Sequence, residues 1–107
     1  MEFQPVAITT TSDDKTVLQS IANRLINQKL AACVQISGPI ESWYRWQGNV
    51  ENSSEFQCTI KTRATHIERI KDEINQLHNY EEPQFVAFSI VDGSESYLNW
   101  LEDNTDF

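Results

Sequence analysis

Ala32-Cys33-Val34-Gln35-Ile36-Ser37-Gly38-Pro39-Ile40-Glu41-Ser42-Trp43-Tyr44-Arg45-Trp46, followed by Gln47-Gly48-Asn49 and then Ser54-Glu55-Phe56-Gln57-Cys58-Thr59-Ile60-Lys61-Thr62, decides the fold. The first part reads as a long strand. It is interrupted at Gly38-Pro39, where proline cannot donate to a ladder and glycine favours a bend or bulge. Gln47-Gly48-Asn49 supplies a turn, and the chain returns with period-two alternation. Phe56, Cys58 and Ile60 fall on one side, Glu55, Gln57, Thr59 and Lys61 on the other. The result is a kinked hairpin with one oily and one polar face.

Working outward toward the N-terminus, Phe3 to Thr10 is apolar and β-branched and reads as a strand. It runs into Thr9-Thr10-Thr11-Ser12-Asp13-Asp14, rich in side chains that cap helices. Val17, Leu18, Ile21, Ala22, Leu25 and Ile26 then recur at helical spacing, predicting a helix that ends near Gln28-Lys29. Toward the C-terminus, Thr65 and Glu68 have capping-box spacing at the start of a second helix. Ile67, Ile70, Ile74 and Leu77 form its apolar stripe, and Arg69 is spaced to pair with Glu73. Phe85 to Val91 reads as a central strand buried on both faces. A short helix from Glu95 to about Glu102 presents Tyr97, Leu98, Trp100 and Leu101.

The order is β-α-β-β-α-β plus a C-terminal helix. That is an α+β, ferredoxin-like split βαβ fold with an antiparallel four-stranded sheet and two helices on one face. The 107 residues fit a single domain, 1–107, with one core. Function does not follow, because this architecture carries many unrelated activities.

Composition narrows the partners. Sixteen Asp and Glu against eight Lys and Arg give a net charge of −8, and the few cations are scattered. Such a field repels a phosphate backbone, so nucleic acid is not expected as a partner. No apolar run is long enough to span a bilayer, and Met1-Glu2-Phe3-Gln4-Pro5 has neither a basic region nor an apolar signal core. The expectation is a cytoplasmic protein that does not engage a membrane. Two cysteines are too few for a disulfide scaffold. With the hairpin centred near Gly48-Asn49, Cys58 faces roughly Pro39, which puts Cys33 about 20 Å away along the strand and beyond the ~7 Å reach of a disulfide.

Individual residues divide into structural and chemical candidates. Cys58 shares parity with Phe56 and Ile60 and reads as a buried small hydrophobe. Cys33 shares parity with Gln35 and could face the core or a polar cavity, as a structural residue or a thiolate ligand. His66, beside Glu68 in the first turn of the second helix, reads as an ordinary surface residue. His78 lies just past that helix in Leu77-His78-Asn79-Tyr80-Glu81-Glu82-Pro83-Gln84. Imidazole beside carboxylates suits a transition metal, while the position also suits a helix C-cap complementing the dipole. Trp43, Tyr44 and Trp46 crowd the end of the hairpin, where a lone domain has little core to offer, and point to a subunit interface. No nucleophile triad, P-loop, dinucleotide fingerprint or HExxH pattern is present, so the chain reads as a non-enzyme. Lys61, His78 and Tyr80 permit acid–base chemistry without recommending it.

Leu30-Ala31-Ala32-Cys33-Val34, Ser42-Trp43-Tyr44-Arg45-Trp46-Gln47-Gly48, Glu55, Ile60-Lys61-Thr62, His78-Asn79-Tyr80-Glu81-Glu82-Pro83 and Tyr97-Leu98-Asn99-Trp100 together resemble the CutA divalent-cation tolerance family. The resemblance covers nearly the whole chain. It implies a homotrimer in which long hairpins reach across to neighbours and extend their sheets. It implies involvement in divalent-metal tolerance, with copper the usual candidate and no obligatory cofactor. By resemblance, Cys33, Trp46, Glu55, Lys61, His78 and Tyr80 line an inter-subunit cleft. Two readings follow. In one, His78, Cys33 and Glu55 take up Cu(II) or a similar divalent cation. In the other, the trimer is a sensor resembling the PII regulators, with Lys61, Trp46 and Tyr80 meeting a nucleotide or other small molecule. One position departs from the family: Gln84 stands where a glutamate is usual after the proline, and a neutral amide weakens a site for a hard or borderline cation.

Overall fold

β1 (Pro5–Ser12) lies between two antiparallel partners in a computed structural model that describes residues 3–106. Around it the chain runs through α1 (Lys15–Asn27), β2 (Cys33–Trp46), β3 (Asn49–Arg63), a 3₁₀ turn (Ala64–His66), α2 (Ile67–Leu77), β4 (Val86–Ser89) and α3 (Glu95–Asp103). The four strands form one antiparallel sheet in the order β2-β3-β1-β4. This is the small α+β arrangement expected from the periodicity.

The core sits between one face of the sheet and the two long helices. Ile8 of β1 is paired with Ile60 of β3, and both are buried with Cys58 against Leu18, Ile21 and Leu25 of α1 and Ile70 and Ile74 of α2. Period two on the strands meets helical spacing on α1 and α2, so each element loses only its apolar side to the interior. The Arg24 guanidinium donates to Glu73 at 2.8 Å and ties α1 to α2 at the surface. Glu73 therefore pairs across helices, not with Arg69 along its own.

Asp14 starts α1 by accepting from the Thr16 backbone N–H at 3.0 Å and from the Thr16 hydroxyl at 2.6 Å. The Thr16 hydroxyl contact, then the backbone bond, hold its carboxyl below the ordinary value of 3.8. A carboxyl lowered on folding favours the native state above its unfolded pKa, and that contribution is lost as pH falls through the lower folded value. Thermal unfolding of Asp14→Ala beside the parent should show a gap in Tm at neutral pH that narrows in acid below 3.8; a gap independent of pH would refute the capping account.

Four local expectations are corrected. The Thr65–Glu68 capping box does not form, because the 3₁₀ turn intervenes and α2 begins after His66 without a side-chain cap. His66 is not on the surface: it is buried, and its Nδ1–H donates to the Leu30 carbonyl at 3.1 Å. That carbonyl also accepts from the Thr62 hydroxyl, so the segment leaving α1 is pinned to the sheet. Phe85 to Val91 is not a central strand. β4 is the short edge strand beyond β1, and its Val86 and Phe88 are 40% and 55% exposed. Finally, the hairpin register is tighter than expected: Cys58 faces Ile36, and Cys33 faces Lys61.

That register still keeps the two thiols apart, for a better reason than distance. Cys33 shares the Lys61 face, and Cys58, three residues from Lys61, lies on the other. Both are free. Burial pushes the Cys58 thiol up to about 12, whereas Cys33 is only half-buried. A thiol-specific reagent should modify Cys33 in the native protein well before Cys58. Equal rates under native conditions would contradict this packing.

The hairpin leaves the body as an arm. Its turn residues Gln47 and Gly48 have φ of 50° and 84°, the left-handed pair that joins twisted strands with two residues. At the foot of the arm the register shifts between Ser37 and Ile40, where Gly38 has φ of 138° and a Cβ there would meet the Phe56 side chain and the Glu55 carbonyl at 3.0–3.1 Å. The bulge predicted at Gly38-Pro39 is present and bends the strand. With overall dimensions of 45 × 25 × 21 Å, the chain has a radius of gyration of 14.5 Å; a rounded domain of this length has about 13 Å.

On the sheet face away from α1 and α2, α3 is held by Arg63. Its guanidinium donates to the Thr105 hydroxyl at 2.9 Å and to the Glu102 and Thr105 carbonyls at 2.7 and 3.1 Å. Leu101 is fully buried, while Tyr97 and Trp100 remain partly exposed. The terminal helix thus buries an aliphatic residue more fully than its aromatics.

Candidate functional site

The site is built where α2 ends beside the end of β1. His78 closes α2, its backbone N–H donating to the Ile74 carbonyl at 2.8 Å, and then adopts an extended conformation that turns the chain toward β1. Its ring is not a free cap. Nδ1 accepts from the Tyr80 N–H at 3.0 Å, which assigns the proton to Nε2, and Nε2–H donates to the Thr11 carbonyl at 2.8 Å. Both ring nitrogens are committed. The dipole-complementing role is therefore not what the ring performs, and no lone pair is left for a metal in this arrangement.

The next two residues extend the same seam. Asn79 accepts from the Ser12 hydroxyl at 2.7 Å and donates to the Asp13 carboxylate at 2.9 Å. The Tyr80 hydroxyl accepts from the Asp13 N–H at 2.8 Å and donates to Glu55 Oε2 at 2.6 Å. Burial, followed by the hydrogen bond to Glu55, raises the Tyr80 pKa well above its usual range, so the phenol keeps its proton. Glu55 itself is 6% exposed and sits on β3 opposite Ile40, on the far side of the bulge from the body. A short chain of polar contacts therefore joins the loop after α2, the end of β1 and the foot of the arm.

Between this seam and the arm lies an open cleft of about 1080 Å³. Trp43, Tyr44 and Trp46 come from the arm, and Glu55, Tyr80, Glu81 and Glu82 from its foot and the loop. Lys71, the cation on the wall, reaches Glu68 at 3.2 Å and lies 5.5 Å from the Phe85 ring centroid. Three carboxylates against one committed ammonium give the cleft a cation-attracting balance. Gln84 is also on the wall and donates to the Thr9 hydroxyl at 3.2 Å, a contact that a glutamate could not make as donor.

Of the residues singled out from sequence, Trp43, Tyr44, Trp46, Glu55 and Tyr80 meet at the cleft. His78 stands behind it, its ring 4.9 Å from that of Tyr80. Cys33 and Lys61 do not join them within one subunit. They face each other six residues along β3 from Glu55, about 20 Å away. Lys61 donates to Gln35 at 3.0 Å and lies 5.6 Å from the Tyr97 ring centroid. Among the described residues, no group of three or more His, Cys, Asp or Glu side chains converges on a cation position. The Cys33–Glu55–His78 set is therefore not assembled in the single subunit. Sequence reasoning missed Asp13 and Asn79, whose partners are more than 60 residues away; the only cue was the dense polar run around His78.

A four-stranded antiparallel sheet with three helices, a projecting hairpin and an acidic, aromatic cleft at its foot defines a small α+β protein of the split βαβ class. The chain belongs to the family described as CutA1 divalent ion tolerance protein, which matches residues 6–104. The Divalent-cation tolerance protein CutA of Thermus thermophilus is 39% identical over 100 residues, covering 94% of this chain and 95% of the relative. Protein CutA, chloroplastic, of Arabidopsis thaliana is 37% identical over 100 residues, but the chain spans only 55% of that relative's length. Among solved structures, CutA1 of the psychrotrophic bacterium Shewanella sp. SIB1 superposes with a TM-score of 0.92 at 36% identity, over 100% of both chains.

Proposed function

We propose that this divalent-cation tolerance protein works as a homotrimer in which each arm docks on a neighbour and turns the open cleft into an inter-subunit compartment for a divalent cation, copper included. The carrying observation is the arm: Trp43 and Val50 are 65% exposed, and Tyr44 and Trp46 are 44% and 40% exposed, on a hairpin standing clear of the core. Fully burying a large apolar side chain gains roughly 1.5–3 kcal/mol, and each of these partly exposed side chains leaves a share of that unrealised. A neighbouring copy supplies the missing surface by strand addition to the edge strand. Glu55, Glu81 and Glu82 offer the oxygen donors that suit a hard or borderline cation. Cys33 enters the compartment only from a neighbour, and His78 acts from behind as a positioning residue. The two unpaired thiols are consistent with a reducing cytoplasm. For the alternative of a nucleotide sensor, the contacts that Lys61 makes with Gln35 and Tyr97 argue against a free anion-binding ammonium.

Calorimetric titration of the pure protein with Cu(II) tests the reading. Saturable binding is expected, weakened by Glu81→Gln with Glu82→Gln and retained in Cys58→Ser. Absence of binding by copper and by other divalent cations, or a thermal shift produced instead by nucleotides and abolished by Lys61→Ala, would overturn it.

A further inference from the structure

We infer that Tyr80 is a latch for the arm: its hydroxyl, held by the Asp13 N–H at 2.8 Å and donating to Glu55 at 2.6 Å, fixes the angle at which the β2–β3 hairpin leaves the body. Three observations converge. The arm leaves through the register shift between Ser37 and Ile40, where the ladder is interrupted and the strand bends. Glu55 is the residue opposite Ile40, the first pair on the arm side of that shift, and it is almost fully buried although its neighbour Ser54 is exposed. The Tyr80 hydroxyl is in turn referenced to the body twice, through the Asp13 N–H at the end of β1 and through the His78 ring, which takes the Tyr80 N–H and is itself bonded to Thr11.

A carboxylate buried at this bend and met by a phenol is a directional contact, unlike the apolar packing of the core. Charge-assisted hydrogen bonds of this kind are short and geometrically specific. The latch thus lets the loop after α2, which forms the cleft wall, set where the aromatic tip points. Its consequence for assembly rests on the proposed trimer, while the latch itself is a property of one subunit.

The two are separated by a distance measurement within one subunit. Spin labels at Val50→Cys on the arm and Asn27→Cys at the end of α1, in a Cys33→Ser background diluted into unlabelled protein, report the arm angle. The parent and Glu55→Gln, whose amide oxygen still accepts from Tyr80, should give a single narrow distance distribution. Tyr80→Phe and Glu55→Ala should lose that single distance and give a broad one, with the body's far-ultraviolet circular dichroism retained. A narrow distribution in Tyr80→Phe, or broadening by Glu55→Gln equal to that by Glu55→Ala, would overturn the latch. If Tyr80→Phe does not fold, the Glu55 pair decides alone. Sedimentation of the same samples tests trimer formation separately, so a monomeric parent with a narrow distance would refute the trimer and leave the latch standing.

Discussion

Ile60→Ala is expected to lower the unfolding free energy by about 2–5 kcal/mol, the range for removing a fully buried branched aliphatic side chain. Ile60 has no exposed surface and sits in the middle of β3, paired with Ile8 on one side and Val34 on the other. The helices packed over this row present Leu18, Ile21, Leu25, Ile70 and Ile74, all fully buried. Partners on both strands and overhead leave no single element free to close the space, so the cavity penalty adds to the lost transfer energy. Urea unfolding at fixed protein concentration measures the change, because the proposed trimer would make apparent stability concentration-dependent. A loss of only a few tenths of a kcal/mol would show that this row is not the centre of the core.

Trp43→Ala combined with Trp46→Ala is expected to break the proposed trimer while leaving each subunit folded. Both side chains lie on the arm, away from the helix-covered core, and neither belongs to the buried cluster. Their removal therefore costs the isolated subunit little. At an interface the same residue type is the strongest class of anchor, and truncating one such anchor costs about 2 kcal/mol or more. That is roughly 30-fold in a dissociation constant per tryptophan. Sedimentation velocity and circular dichroism together read the outcome: smaller particles with an unchanged far-ultraviolet spectrum. An unaltered assembly would remove the arm from the interface.

What could be read from sequence, and what could not, follows from the range of each signal. The alternation of Phe56, Cys58 and Ile60 and the helical spacing of Leu18, Ile21 and Leu25 are local, and they located the core. Gly38-Pro39 marked the bulge because proline and glycine act on the backbone in place. β4 was misplaced because an apolar run records only that its residues avoid water, and an edge strand with exposed Val86 and Phe88 carries the same letters as a central one. His66 looked like a surface residue because the partner that buries it, the Leu30 carbonyl, is 36 residues away. The site shows the same limit. The aromatics of the arm were legible from their density, but the Tyr80–Glu55 contact joins residues 25 apart, and the commitment of both His78 nitrogens depends on tertiary partners that spacing does not encode.

Gln84 lines the cleft, and its amide donates to the Thr9 hydroxyl, so the side chain at this position makes a structural contact and adds no charge. The remaining carboxylates Glu55, Glu81 and Glu82 still give the cleft its sign.

Sedimentation equilibrium of the unmodified chain over a wide dilution series is the most direct test of the whole picture. A single species of three subunits that persists on dilution is the expected result. A stable, well-folded monomer would mean that the exposed arm needs no neighbour, and would contradict the account.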